Sequence, residues 1–236
     1  MAKLLSLRNF FPREAKTGFK HKHFFNSLPK QKLQEILLYS ESDYIASLFP
    51  KIQKKNVILF NDQRHKYLLA GILANDPEFL LNYIYRGEAP DKQKQGYFSI
   101  LGDIKKPALR RGAYDVVFCP FVLESYMFVE DFIKTVNPFL GNGSRLVLSV
   151  IHPQIENMLF NQNPAEHRVA EGLTSRYFRL FRDNHFFTED LQESCVDLAL
   201  KPFFTQMDAD PYHDYKNTPV CLFFKVVKFQ KEKKKL

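Results

Sequence analysis

The stretch YDVVFCP, residues 114–120, and the stretch GNGSRLVLSVIHP, residues 141–153, decide the fold of this chain. The first contains a short apolar run of the kind that forms a strand buried on both faces. Apolar residues at helical spacing then predict a helix that the glycines end: Val129, Phe132, Ile133, Val136 and Leu140. The second stretch predicts another strand. Together they predict a strand–helix–strand unit of a parallel sheet.

Further apolar runs extend this alternation along the chain. A helix is predicted over residues 67–73, before the break at Pro77. Two short amphipathic helices are predicted ahead of it, around residues 33–37 and 44–49. The predicted parallel strands are residues 56–60, 80–85, 98–102, 115–119 and 145–151. This order is typical of a doubly wound α/β sheet, here with a helical N-terminal appendage.

The composition fits one globular domain inside the cell. Of the 236 residues, 45% are hydrophobic, which is enough for a full core, and no apolar run is long enough to cross a membrane. The apolar stretch at the N-terminus is too short for a signal peptide. Cys119, Cys195 and Cys221 are few and widely spaced, which favours buried free thiols over disulfides or a zinc site. We therefore expect a cytoplasmic protein.

The formal net charge of +8 raises the question of a nucleic-acid partner. The basic tail at residues 230–236 is most simply solvated. Near the N-terminus, basic and aromatic residues alternate: Arg13, Lys16, Lys20 and Lys22 among Phe10, Phe11, Phe19, Phe24 and Phe25. A basic arm of this kind can contact phosphates and stack on bases. The alternative is that the phenylalanines only anchor the arm on the domain.

The two decisive stretches resemble the second half of class I S-adenosylmethionine-dependent methyltransferases, in which a strand of the type FD.V is followed by a helix and a PGG.L strand. The resemblance covers residues 56–229, leaving an appendage at 1–55 and the basic tail. It implies a Rossmann-like, mostly parallel sheet of seven strands, closed by an antiparallel C-terminal hairpin. The hairpin would use strands at 202–207 and 220–227.

The C-terminal third carries further points of resemblance. The sequence TEDL at residues 188–191 is similar to the phrase that opens the last helix of the family, and a threonine followed by acids suits a helix N-terminus. A helix is therefore predicted from Thr188 to Leu200. Residues 154–187 stand where the family places an insertion that covers the substrate; alternatively, this segment packs over an open sheet edge.

A methyl donor would lie across the carboxyl ends of the strands, as the resemblance implies for S-adenosylmethionine. The family places an acid and three glycines around the first strand-to-helix turn, because glycine lets the backbone approach the cofactor. Here Leu59 stands at the position of the acid, and Asn61, Gln63 and His65 stand at those of the glycines. Asn61 can adopt the left-handed conformation, so it is a candidate cofactor contact. Gln63 and His65 add side chains where the cofactor would lie.

The other candidate cofactor contacts are Glu88, Asp103 and Cys119. Glu88 is the acid nearest the end of the second strand, where the family binds the ribose hydroxyls. Gly102-Asp103 matches the family's GD, whose carboxylate meets the adenine amino group; the alternative is that Asp103 caps the next turn. Cys119 ends the predicted fourth strand.

Glu124, Tyr126 and His152 are the candidate catalytic residues, because they follow the fourth and fifth strands at the rim where an acceptor would enter. His152 can act as a base near neutral pH. Alternatively, it only hydrogen-bonds across the strand end before Pro153. The histidines and cysteines lack the spacing of metal ligands, so no metal is expected.

Two functions from different classes remain open. The first is a methyltransferase with a divergent cofactor site, acting on a small molecule or on nucleic acid. The second is a catalytically inactive methyltransferase-like protein that has lost S-adenosylmethionine and serves as a binding or scaffold module. Similarity of fold cannot decide between them. The space left for a nucleoside beyond Phe60 is the deciding observation.

Overall fold

The computed structural model describes residues 30–47, 52–62, 66–87, 97–122, 124, 126–152, 173–197, 201 and 216–229. In chain order the described elements are α1 (Lys30–Ser47), β1 (Asn56–Asn61), α2 (Lys66–Ala74), β2 (Phe79–Ile84), β3 (Tyr97–Leu101), β4 (Tyr114–Phe121), α3 (Tyr126–Val136), a 3₁₀ turn (Asn137–Phe139), β5 (Leu140–Ile151), α4 (Leu173–Asp183), β6 (Phe186–Cys195) and β7 (Pro219–Lys228).

The strands form one seven-stranded sheet in the order β3-β2-β1-β4-β5-β7-β6. β1 pairs in parallel with β2 and β4, β2 pairs with β3, and β4 pairs with β5. β7 runs antiparallel between β5 and β6. The predicted doubly wound, mostly parallel α/β fold is therefore confirmed. Because the strand order reverses between β1 and β4, the ligand crevice expected of such a sheet lies beyond their carboxyl ends.

Two apolar layers cover the faces of the sheet, and successive strand residues alternate between them. One layer joins Leu59 of β1 and Phe118 of β4 to helices α1 and α2. The other joins Phe60 and Val117 to helices α3 and α4. Central strands buried on both faces are nearly continuous apolar runs, which is why the sequence predicts them. Burying one such side chain contributes about 1.5–3 kcal/mol.

The five predicted parallel strands are confirmed, but β5 begins earlier than predicted. The glycines expected to end the preceding helix lie inside β5, which starts at Leu140. The register between β4 and β5 shifts after the pair Tyr114 and Leu140. Gly143 has a φ of +82°, a conformation that glycine adopts without a side-chain clash. The predicted turn is therefore an irregularity within a strand pair.

The C-terminal antiparallel pair is confirmed, but its first strand is β6, at Phe186–Cys195. Residues 202–207, where that strand was predicted, lie outside the described residues. The helix predicted from Thr188 is wrong, because residues 188–191 belong to β6. Glu189 of this strand forms an ion pair with Arg145 of β5, with 3.0 Å between Nη2 and Oε1. Pairing with β7 along the whole of β6, more than this partly exposed ion pair, outweighs the weak local preference of a capping pattern.

The helices differ from the sequence prediction in two places. The two short N-terminal helices are one continuous helix, α1, in which buried Ser40 and Glu41 interrupt the apolar stripe. Helix α4 falls in the segment 154–187 that was expected as an insertion, and it buries Tyr177 and Phe181 in the core. The end of that segment is therefore part of the helical layer. Among the described helices, none is long and apolar enough to span a bilayer.

Candidate functional site

The residues that follow β1, β2 and β4 meet at one edge of the sheet, which we call the carboxyl crevice. β1 ends at Asn61, β2 at Ile84 and β4 at Phe121, and β1 lies between the other two strands. The backbone N–H of Tyr85 donates to the carbonyl oxygen of Asn61 at 3.0 Å, so the ends of β1 and β2 are level. Open α/β sheets bind their ligands at this place.

An ion pair spans the carboxyl crevice from β2 to β4. Nη1 of Arg86, after β2, lies 3.0 Å from Oε1 of Glu124, after β4. The hydroxyl of Tyr85 donates to the same carboxylate oxygen at 3.4 Å. The Glu124 side chain is only 9% exposed, whereas that of Arg86 is 58% exposed. We call this arrangement the Arg86–Glu124 bridge. It holds the candidate catalytic residue Glu124 against the end of β2.

Aromatic rings pack beside the Arg86–Glu124 bridge. The Tyr85 ring lies 5.9 Å from that of Phe121, edge to face, and 5.9 Å from that of Phe128. Phe121 in turn meets Phe128 at 5.2 Å and Phe132 at 4.7 Å. Edge-to-face contacts at these distances are attractive. On this face, side chains of the chain itself therefore cover the end of β4.

β1 presents an apolar side chain and an amide where the resemblance implies an acid and a glycine. Leu59 is fully buried in the core. The Asn61 side chain is directed to β2, where its Nδ2 donates to Oδ1 of Asn82 at 3.1 Å. Asn82 continues the chain of hydrogen bonds to Oγ of Ser99 at 3.0 Å. The candidate cofactor residue Asn61 is thus part of a buried polar ladder across β1, β2 and β3.

Asp103, the candidate adenine contact, follows β3 and caps the next turn. Its Oδ1 accepts the backbone N–H of Lys105 at 2.9 Å. Its carbonyl oxygen accepts the hydroxyl of Tyr83 at 3.0 Å. Burial, and secondly the charge of Asp103, raise the pKa of Tyr83. This geometry matches the turn-capping alternative.

His152, the candidate base, follows β5 and contacts the neighbouring strands β7 and β6. Its backbone N–H donates to the carbonyl oxygen of Val220 at 2.8 Å. Its Nε2 lies 3.6 Å from Oε2 of Glu193 in β6, and this polar contact lowers the pKa of Glu193. Burial and the Glu193 charge raise the pKa of the nearby Cys195 thiol to about 11, so that thiol is a poor nucleophile. The geometry matches the structural alternative for His152.

Cys119 and Tyr126 lie away from the carboxyl crevice. Cys119 is fully buried within β4, and burial raises the pKa of its thiol well above the usual range. Tyr126 begins α3, and its ring meets that of Tyr177 in α4 at 5.2 Å. Of the three candidate catalytic residues, Glu124 thus lies in the crevice, Tyr126 packs against a ring of α4, and His152 contacts β6.

Sequence reasoning missed Glu41 of α1, which reaches the ends of β4 and β5. It is fully buried, and its Oε1 accepts the backbone N–H of Val122 at 3.3 Å. The same oxygen accepts the hydroxyl of Ser149, whose Oγ also accepts the N–H of Phe121 at 3.1 Å. The available signal was a carboxylate on the buried face of a helix, between Leu37 and Ile45.

Several residues singled out from the sequence lie outside the described residues. They are Gln63 and His65 of the first turn, the candidate ribose contact Glu88, and the basic arm residues Arg13, Lys16, Lys20 and Lys22.

Comparison with known proteins identifies the fold. No protein-family model matches the chain, and no curated protein matches its sequence. A solved Listeria monocytogenes structure, assigned as an S-adenosylmethionine-dependent methyltransferase, matches with a TM-score of 0.61 at 14% identity and covers 82% of this chain and 98% of its own. This chain has the class I methyltransferase fold.

Two further structures show what else shares this fold. Geranyl diphosphate C-methyltransferase from Streptomyces coelicolor, solved with Mg²⁺, geranyl diphosphate and S-adenosylhomocysteine, matches with a TM-score of 0.56 at 8% identity, over 91% of this chain and 98% of its own. The [4+2]-cyclase SpnF matches with a TM-score of 0.55 at 11% identity, over 80% of each chain. Identities this low show the fold alone, and the same fold hosts different activities.

Among the described residues, those of the carboxyl crevice differ from the ones that the resemblance implies around S-adenosylmethionine. The end of β2 carries Tyr85 and cationic Arg86, and both bind Glu124 across the end of β1. The side chains of Asn61 and Asp103 are engaged within the protein. Within the described ranges, no group of three or more His, Cys, Asp or Glu side chains is arranged to hold a metal ion.

Proposed function

We propose that this chain is a methyltransferase-fold protein that does not hold S-adenosylmethionine in the family's position and acts as a binding or scaffold module. The observation that carries the proposal is the Arg86–Glu124 bridge, with an ion pair of 3.0 Å across the carboxyl crevice. A nucleoside entering there has to separate these two side chains. It would then leave the nearly buried Glu124 carboxylate without its cation, which is costly.

The proposed loss of cofactor binding is tested by calorimetric titration of the full chain with S-adenosylmethionine and S-adenosylhomocysteine. We expect no saturable heat with either ligand at millimolar concentration. A thermal-shift measurement under the same conditions should show no stabilisation, because a ligand that binds only the folded state must raise the melting temperature. Saturable micromolar binding of either ligand would contradict the proposal.

The bridge itself is tested by a double-mutant cycle with Arg86→Ala and Glu124→Gln. If the two side chains interact, the change in unfolding free energy of the double variant differs from the sum of the single changes by at least about 0.5 kcal/mol. As a matched control we pair Arg86→Ala with Asp190→Asn, a carboxylate in β6 at the opposite edge of the sheet from β3. That control cycle should be additive. If the Arg86 and Glu124 changes are additive, the two side chains do not stabilise each other, and the proposal loses the observation on which it depends.

A second candidate function, a methyltransferase with a divergent cofactor site, is favoured by one observation. Asp103 keeps the family's position after β3, and its side chain is exposed to solvent. In this case S-adenosylmethionine should bind, and Asp103→Ala should weaken binding at least tenfold, since a charge-assisted hydrogen bond contributes about 1.5–3 kcal/mol. Asp190→Ala should leave that binding unchanged. This pattern would show that the cofactor binds in the family's position and would contradict the first proposal.

A further inference from the structure

A groove of about 440 Å³ lies between helices α3 and α4, on the outer surface of the helical layer. Small-molecule sites in proteins have volumes of about 300–1,000 Å³. Tyr126 and Lys134 of α3 line one wall, and Arg176 and Arg179 of α4 line the other. The carboxylates of Glu130 and Asp183 line the groove as well. The groove therefore has the size of a ligand site and carries three cationic and two anionic side chains.

Two of these cations form no ion pair within the described residues, because both carboxylates of the groove contact other cations. Lys134 pairs with Glu130 one turn earlier, with 2.6 Å between Nζ and Oε1. Arg182, the next arginine along α4, has its Nε 3.2 Å from Oδ1 of Asp183. In the described part of the chain, no carboxylate lies within ion-pair distance of Arg176 or Arg179. The cation pair of the groove is thus available to an external anion.

The placement of the two arginines concentrates positive charge at one point. Residues three apart on a helix lie on the same face, and like charges at this spacing repel each other. The Arg176 guanidinium lies over the Tyr126 ring, 5.9 Å from its centroid. Burial, and secondly the charge of Glu130, raise the pKa of the Tyr126 phenol, and the charges of Arg176, Lys134 and Arg179 oppose that rise. The phenol and the two guanidiniums therefore face the same part of the groove.

We propose that this groove binds a small phosphate-bearing ligand between Arg176 and Arg179. Guanidinium groups present donors in a planar fork that matches phosphate oxygens. A carboxylate has two acceptor oxygens, whereas a phosphate group has three terminal oxygens. A phosphate can therefore accept more hydrogen bonds from two guanidiniums than a carboxylate can. An anion there also relieves the repulsion between the arginines. This site lies outside the carboxyl crevice and does not depend on whether a cofactor binds in that crevice.

The test is calorimetric titration of the full chain with inorganic pyrophosphate at constant ionic strength. We expect saturable binding that Arg176→Gln and Arg179→Gln each weaken at least about tenfold, because each removes a charge-assisted contact. Arg110→Gln is the matched control: it removes the same charge at an exposed residue that does not line the groove. The control should keep the affinity of the unaltered chain.

The proposal is overturned if pyrophosphate gives no saturable heat, or if Arg110→Gln weakens binding as much as the two groove variants do. Thermal unfolding of each variant establishes that it is folded before titration. A parallel titration with single-stranded RNA separates a small ligand from a polymer. Binding of RNA that depends on both groove arginines, without binding of pyrophosphate, would assign the groove to nucleic acid and reject the small ligand.

Discussion

Gly102 is the point at which the backbone after β3 passes closest to the core. A β-carbon built on this residue would lie 2.2 Å from the hydroxyl oxygen of Tyr83 and 2.6 Å from its Cζ. Tyr83 is only 1% exposed, so its ring has little room to move. The glycine therefore permits the hydrogen bond from Tyr83 to the carbonyl oxygen of Asp103. The glycine of the Gly102-Asp103 motif is therefore explained by packing as well as by the resemblance to a cofactor-binding motif.

We predict that Gly102→Ala lowers the free energy of unfolding by about 1–3 kcal/mol, because overpacking a filled site displaces its neighbours. The measurement is urea denaturation followed by circular dichroism. Gly141→Ala is the matched control, since the nearest atom to its added β-carbon, Oγ of Ser144, lies at 3.6 Å. Adding Tyr83→Phe to Gly102→Ala should restore part of the stability. Equal effects of the two glycine substitutions would contradict this account.

The polar contact between His152 and Glu193 makes a pH-dependent contribution to stability. Its effect is to hold the pKa of Glu193 below the ordinary value of 4.5. A carboxyl group whose pKa is lower in the folded state stabilises the fold above its unfolded pKa, and that stabilisation is lost as the pH falls through the folded pKa. We therefore expect Glu193→Gln to destabilise the protein at neutral pH.

Chemical denaturation across the acid range tests this sign. The difference in unfolding free energy between the unaltered chain and Glu193→Gln should shrink as the pH falls below about 4.5. Asp183→Asn, an exposed carboxylate at the end of α4, serves as the control. If the destabilisation caused by Glu193→Gln instead grows toward acid pH, the account is wrong, because the fold would then raise the pKa of Glu193.

At the scale of elements, helix α1 is fixed to the sheet by a buried polar contact as well as by apolar packing. Ile36, Leu37 and Ile45 contribute to the core layer on this face. Glu41 adds hydrogen bonds to Val122, just beyond β4, and to Ser149 of β5. Since apolar packing is non-directional, these hydrogen bonds define where the helix sits along the strands.

We predict that Glu41→Ala destabilises the protein by about 1–3 kcal/mol, because it leaves buried donors without an acceptor. Glu41→Gln keeps one acceptor oxygen and should cost less. Glu35→Ala, on the exposed side of the same helix, is the control and should change stability by less than about 0.5 kcal/mol. Denaturation of the three variants is the measurement. A Glu41→Ala effect no larger than that of Glu35→Ala would show that apolar packing alone positions α1.

For the whole molecule, the net charge of +8 makes nucleic acid the partner to test first. We predict that replacing Arg13, Lys16, Lys20 and Lys22 together with Ser weakens RNA binding and flattens its salt dependence. Each phosphate that the arm no longer neutralises keeps its counterion, so the slope of log affinity against log salt falls by about 0.7–0.9 per phosphate. Filter binding at several salt concentrations gives that slope.

Replacing four basic residues of the C-terminal tail, Lys231, Lys233, Lys234 and Lys235, is the matched control, because it removes the same charge. An RNA affinity and slope that change equally in both variants would indicate a general effect of charge. Absence of RNA binding in the unaltered chain would leave the arm as an anchor on the domain.

The sequence by itself determined the parallel sheet. Runs such as Val57–Phe60 and Val116–Cys119 are buried on both faces, so each is a short apolar segment whatever its neighbours are. Helix α3 was equally predictable, since its buried residues recur at helical spacing. These features depend on local periodicity, which a single sequence contains in full.

Only the tertiary structure decided the rest, because it depends on residues far apart in the chain. Residues 188–191 have the local pattern of a helix start, yet pairing with β7 and an ion pair to Arg145 make them a strand. The same holds for the site: nothing in the sequence links Arg86 to Glu124, and the strand order β2-β1-β4 brings them together. Local preferences are weak compared with such contacts, so the sequence predicted the sheet but neither strand β6 nor the bridge across the carboxyl crevice.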